Sequence, residues 1–293
     1  MQMTDVVTGI VGWIVEPYRY EFMRAALAAL VLISVVSAVV GAFVVHKGLA
    51  FLGDALAHST LAGVAIAFVA GGNVSVGALI AAAVTALGIG WTQRRAGVSY
   101  DTAIGILFVG MFSIGILVLS LRSGYTPDLF SFVFGNILGV STSDLVGAAI
   151  LTVLVLLFVA AFYRDLVFVA YDPAMATASG LPVAAFQYAI LLLIGVAVVV
   201  ALKAIGIVLV NAMLIIPAAT SSLVATRLPG IVGGGLVVAL AASVVGLHVS
   251  YYVGVAASPA IVLVACLIFA VALAYTSWRA RRMPEAARVV EAG

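Results

Sequence analysis

The stretch from residue 23 to residue 70, MRAALAALVLISVVSAVVGAFVVHKGLAFLGDALAHSTLAGVAIAFVA, carries the reading that decides the fold. Two apolar runs, 23–45 and 52–70, are parted by a short break at His46-Lys47-Gly48. A helix rises about 1.5 Å per residue, so a run of about 20 residues spans the roughly 30 Å hydrocarbon layer of a bilayer. The stretch therefore predicts two membrane-crossing helices. Its second run is not purely apolar. Asp54 and His58 stand four residues apart within it, and each alone is costly in lipid.

The rest of the chain repeats the pattern. Of its 293 residues, 66% are hydrophobic and 8% charged, and mean hydropathy is +1.34. Ordinary soluble domains carry about 25% charged residues. A membrane β-barrel would alternate polar and apolar in short segments instead. The expected fold class is all-α, a polytopic transmembrane helical bundle. Spans are predicted near 23–45, 52–70, 74–93, 101–121, 144–163, 183–202, 204–225, 231–252 and 258–277, nine in all. Tight turns are expected at Gly71-Gly72-Asn73 and at Leu228-Pro229-Gly230. Segment 124–143 is apolar but interrupted, and predicts a half-helix or interfacial hairpin.

Residues 1–22 predict an N-terminal interfacial helix with Trp13, Tyr18 and Tyr20 as belt aromatics. With Asp5, Glu16 and Glu21 and no basic start, they do not resemble a signal peptide. Residues 23–277 form one transmembrane domain, and 278–293 a charged tail. Lys47, Arg94, Arg95, Arg164, Arg227, Arg279, Arg281 and Arg282 all fall on one side of nine alternating spans. By the positive-inside rule that side is cytoplasmic. Arg19, Arg24, Arg122 and Lys203 fall opposite. The lone Cys266 reads as a small buried hydrophobe.

Some chemistry is missing from the sequence. Neither lysine, Lys47 or Lys203, follows a glycine, so there is no P-loop. There is no H-E-x-x-H, no G-x-S-x-G and no nucleic-acid motif. No nucleophile and base stand at a recognisable spacing, so the chain is not expected to be an enzyme. If ATP drives it, another chain supplies the ATPase.

Asp54 and His58, at i and i+4, share one helical face. The spacing leaves three readings open: ligation of a metal or substrate, a proton relay, or a structural clamp. Carboxylate plus imidazole suits Zn²⁺ and Mn²⁺, and ligand type gives zinc a slight edge. Ser59 adjoins the pair as a possible pathway-lining residue. Asn211 interrupts AIGIVLVNAMLIIPAAT and reads as a hydrogen bond across helices or as a pathway-lining residue. Pro217 in that run is expected to kink it. His248, beside Tyr251 and Tyr252, reads as an interface residue or an entry-path ligand. Asp101 behind Ser99, and Asp144, are placed for helix N-termini. Between the fifth and sixth spans, YDPAMATASGLP predicts a short cytoplasmic helix. Asp172 and Pro173 start it, and Gly180 caps it ahead of Pro182. It suits docking of a soluble partner or a bare connector.

Three stretches together resemble a known family. FLGDALAHSTLAGVAIAF is similar to the signature G-D-A-x-x-H-x-x-L-P-G-V-A of the permease subunits of ABC importers for zinc and manganese. ALKAIGIVLVNAMLIIPAATSSLVA resembles their run ending P-A-A-T, and YDPAMATASGLPV their coupling segment. The resemblance spans roughly residues 22 to 277. It implies an importer in the bacterial cytoplasmic membrane, with a cytoplasmic ABC ATPase, an extracytoplasmic solute-binding protein and a homodimer of permeases. It implies Asp54 and His58 as ligands of the transported Zn²⁺ or Mn²⁺, no permanently bound cofactor, and Asp172, Pro173, Ala178 and Gly180 in ATPase coupling. The chain departs from the pattern at Ala62, where proline is usual, at Ser221, where alanine is, and at Asn211, where small residues are common. Two rivals are a proton-coupled secondary metal carrier and an ABC permease for a metal chelate such as a siderophore.

Overall fold

The computed structural model describes residues 15–121 and 137–282, apart from the side chains of residues 203, 204, 280 and 282. Most of the expected N-terminal interfacial helix, most of the interrupted segment 124–143, Arg122 and the end of the tail lie outside these residues. The described residues contain helices and no strand.

A 3₁₀ turn, Glu16–Arg19, leads into α1 (Glu21–His46). Then follow α2 (Ala50–Val69), α3 (Val74–Ala96) and α4 (Tyr100–Ser120). After a second 3₁₀ turn at Ile137–Gly139 come α5 (Thr142–Ala161), α6 (Tyr163–Tyr171) and α7 (Pro173–Ala178). The chain ends with α8 (Val183–Ser222), α9 (Leu228–Val253) and α10 (Ala257–Arg282). With α8 counted as the two spans Val183–Leu202 and Ile205–Ser222, nine described helices are long and apolar enough to cross a membrane.

Local chemistry fixes most boundaries. Asn73 caps α3, its Oδ1 accepting from the backbone N–H of Ser75 and Val76. Gly71 before it takes φ 69°, which closes the expected turn. Ser99 caps α4 through the N–H of Thr102, and Ser141 caps α5 through that of Asp144. Asp101 and Asp144 thus lie in positive first turns, as expected. Three boundaries differ from the sequence reading. Leu228-Pro229-Gly230 is the first turn of α9 rather than a loop, and the chain reverses over 223–227. Proline costs nothing there, because the first N–H groups of a helix lack partners anyway. The break between the sixth and seventh spans falls at Gly206, φ 76° and ψ 168°, while Pro217 stays inside the helix. And α10 runs on to Arg282, five residues past the predicted span, with arginines suited to its negative end.

The spans are sorted by burial. α1, α2 and the second half of α8 are the most buried, and α4, α5 and α10 face outward. Close crossings rely on glycine. A Cβ on Gly63 would strike the carbonyl of Gly77, and one on Gly77 would strike that of Gly63, so α2 and α3 touch backbone to backbone. A Cβ on Gly115 of α4 would stand 2.9 Å from the backbone nitrogen of Ala62. A Cβ on Gly41 would meet the Leu214 carbonyl, and one on Gly53 would lie 3.0 Å from the Leu214 side chain. The second half of α8 is therefore wedged against both α1 and α2. Cys266 is exposed on α10 rather than buried, because this outermost helix packs along one side only.

Candidate metal site

Asp54 is the fifth residue of α2 and His58 the ninth. The helical turn between them does what the spacing predicts: His58 Nδ1 lies 3.4 Å from Asp54 Oδ1. It lies nearer, 3.0 Å, to the backbone carbonyl of Asp54. A carbonyl only accepts, so Nδ1 is the nitrogen that carries hydrogen. Nε2 then holds the lone pair that a metal can take.

The ring of His58 is held between aromatic edges. Phe108 and Phe112 of α4 meet it at 5.5 Å and 5.9 Å between centroids, with planes crossing at 76° and 72°. α4 is close enough to supply them because Gly115 lets it lie on the backbone of α2. On the other flank Asn211 of α8 donates from Nδ2 to Asp54 Oδ1 at 2.7 Å. Asn211 is six residues past Ile205 and eleven before Ser222, near the middle of its span. At about 1.5 Å per residue, the cluster lies roughly 9 Å from one end of that helix and 17 Å from the other. Asp54 itself stands one turn inside the start of α2.

The pair is not sealed. The Asp54 side chain is 48% exposed and that of His58 25%, and Phe51, one turn away on the same face, is exposed. A half-exposed carboxylate within a membrane-length helix cannot face lipid tails cheaply. This face of α2 is built to meet water or another protein surface.

The structure brings together Asp54, His58 and Asn211. It does not bring Ser59 to them. Ser59 is fully buried and its hydroxyl donates to the Leu56 carbonyl, while Thr60 donates to that of Ala57. His248 is also elsewhere. It lies five residues before the end of α9, at the opposite end of the bundle from Lys47. Its Nδ1 bonds the Val244 carbonyl at 2.8 Å, and its ring meets Tyr18 edge-on at 5.3 Å. No group of three or more His, Cys, Asp or Glu side chains is placed to hold a metal among the described residues.

The proposed docking segment forms as expected. Asp172 caps α7, its Oδ1 accepting from Met175 N–H at 2.9 Å, and Pro173 is the first helical residue. Ala178 ends the helix, and Gly180 at φ 80° turns the chain toward Pro182 and α8. Sequence reasoning missed α6, although its signal was present: Leu166, Val169 and Ala170 are its buried face at i, i+3, i+4. It also missed a ring contact. Tyr171, the last residue of α6, stacks on His46, the last of α1, at 3.9 Å and 31°.

A family model described as the ABC 3 transport family matches residues 19–276. The manganese transport system membrane protein MntC of Halalkalibacterium halodurans is 38% identical over 274 residues, covering 91% of this chain and 94% of its own. A probable iron transport system membrane protein of Haemophilus influenzae is 31% identical, with 92% and 99% covered. Among solved structures, PsaBC from Streptococcus pneumoniae in complex with Fab contains a chain superimposing with a TM-score of 0.79 at 32% identity, over 90% of this chain and 95% of that one.

Proposed function

The chain belongs to the ABC 3 transport family, and on that premise we propose that it is the permease subunit of an ATP-driven importer of a divalent transition metal, Mn²⁺ before Zn²⁺. The observation that carries the site is the intramembrane triad: Asp54 and His58 one turn apart on an open face of α2, braced by Asn211 and two phenylalanines. In this reading the metal is cargo. Asp54 supplies a carboxylate oxygen, and His58 supplies Nε2. Two protein ligands with water completing the shell bind firmly enough to admit an ion and loosely enough to release it. The slight edge that ligand type gave to zinc is outweighed by the relatives, which are named for manganese and iron.

The open face of α2 supports a second copy of the chain across the pathway, since an uncovered carboxylate in hydrocarbon is disfavoured. A solute-binding protein outside would deliver the ion. A cytoplasmic ATPase would dock on α6 and α7, the only short helices between described spans on the arginine-rich side. The chain itself does no ATP chemistry, and its place is the bacterial cytoplasmic membrane.

The test is uptake of radioactive Mn²⁺ by cells carrying this permease with its ATPase. We expect accumulation that disappears both in His58→Ala and when the ATPase is catalytically dead. Accumulation that survives a dead ATPase would favour the proton-coupled carrier instead. Wild-type cells that take up no free ion but do take up a chelated one would favour a chelate permease.

A further inference from the structure

We propose that Asn211 is a positioning residue for the metal pair, holding one oxygen of Asp54 so that the carboxylate is offered through the other. The inference rests on the reading of Asp54 and His58 as ligands of the transported metal.

Three features of the site lead to it. The Asn211 Nδ2 to Asp54 Oδ1 bond, at 2.7 Å, joins helices 157 residues apart in sequence and has the short length of a charge-assisted bond. His58 Nδ1 lies 3.4 Å from that same Oδ1. Oδ1 is thus bonded to Asn211 and flanked by the imidazole, and Oδ2 is the oxygen without either contact. Thirdly, Asn211 Oδ1 is buried with no hydrogen-bond partner among the described residues. It points at Gly53, where an added Cβ would stand 3.0 Å from it. Turning the amide over would set its carbonyl oxygen against the carboxylate. Leaving a buried carbonyl unbonded is costly.

The consequence is chemical. A carboxylate pinned by one oxygen is offered through the other in a fixed orientation, so the ion meets a ligand already in place. Released, the carboxylate can rotate away from His58, and binding must first fix it again.

The experiment is equilibrium binding of Mn²⁺ and of Zn²⁺, separately, to nucleotide-free permease co-purified with its ATPase in nanodiscs, with thermal stability of the metal-free complex measured in parallel. Asn211→Leu keeps the bulk of the side chain and removes the donor. We expect it to weaken binding of both ions by about 10- to 100-fold, the range for losing a bond to a metal ligand, while the thermal midpoint of the metal-free complex stays unchanged. Gly53→Ala, whose Cβ would crowd the Asn211 amide and the Leu214 side chain, is expected to weaken binding in the same direction. Asn211→Leu binding both ions like wild type, or losing binding together with its thermal midpoint, overturns the proposal. So does failure of both Asn211→Leu and Asn211→Ala to assemble, which would make Asn211 a structural clamp. Asp54→Ala separates the two levels. If it binds Mn²⁺ normally, the metal pair itself is wrong. If it loses binding while Asn211→Leu does not, only the role of Asn211 falls.

Discussion

At the scale of the residue, Asp54 and His58 are set by helical geometry alone, because i and i+4 always share a face. What they can do is set by their neighbours. The Asp54 carbonyl fixes the hydrogen of His58 on Nδ1, and the two phenylalanine edges limit the swing of its ring. If the pair ligates the cargo as proposed, removing either residue leaves one donor and water, too little to hold an ion. Asp54→Ala and His58→Ala are each expected to reduce Mn²⁺ uptake by about 100-fold or more, since apparent metal binding free energy depends on every ligand. The variants should still reach the membrane at wild-type level, since neither residue is part of the buried core. Uptake assays normalised to permease detected in membranes check both halves. The pair was legible in the sequence as spacing. The brace from Asn211 was not, because nothing local says which helix a residue 157 positions away will face.

At the scale of the element, the glycines decide how near the helices come. Gly63 and Gly77 face each other where α2 crosses α3, and neither backbone has room for a side chain. Gly63→Leu should force α2 away from α3, at about 1–3 kcal/mol of overpacking, and lower the thermal midpoint of the solubilised protein. An unchanged midpoint would mean that the crossing is looser than described. Gly206 works differently. Its φ of 76° with ψ of 168° is a conformation essentially reserved for glycine, and other residues reach it only at about 1–3 kcal/mol. Gly206→Ala should therefore destabilise the protein even where space allows a methyl group. It should also weaken metal binding, because the span carrying Asn211 starts at this break. Binding measured on the same preparation tests that link. The hydropathy pattern placed both spans on either side of the break. It did not place the break itself, which sequence reading put at Lys203, with a separate kink at Pro217, rather than at Gly206, the residue able to take that φ.

At the scale of the whole molecule, α7 has two routes to the metal pair. Along the chain it leads through Gly180 into α8, which after Gly206 carries Asn211. Through space, Tyr171 at the head of Asp172 stacks on His46, three residues before the turn into α2 is complete. A motion imposed on α6 and α7 by an ATPase would thus reach both helices of the site. Tyr171→Ala removes the second route without touching the pair. The expected outcome is a complex that hydrolyses ATP at close to the normal rate but imports several-fold less Mn²⁺ per ATP. Parallel loss of hydrolysis and import would point to a docking defect, and no change in the ratio would remove the stack from the coupling route.

The sequence by itself determined the class, the nine spans, their alternation and the side bearing most of the arginines. These follow from hydrophobic length and backbone hydrogen bonding, which lipid enforces segment by segment. It also determined the capped helix α7 and the pairing of Asp54 with His58, both products of local spacing. Only the tertiary structure decided that Ser59 turns inward to its own helix, that His248 belongs to the far end beside Tyr18, and that Asn211 reaches Asp54 past Gly53. The physical reason is that lipid supplies little preference for one apolar helix face over another. Which helices meet is settled by small residues and a few polar contacts acting over long sequence separations, and these become visible only once the helices are packed.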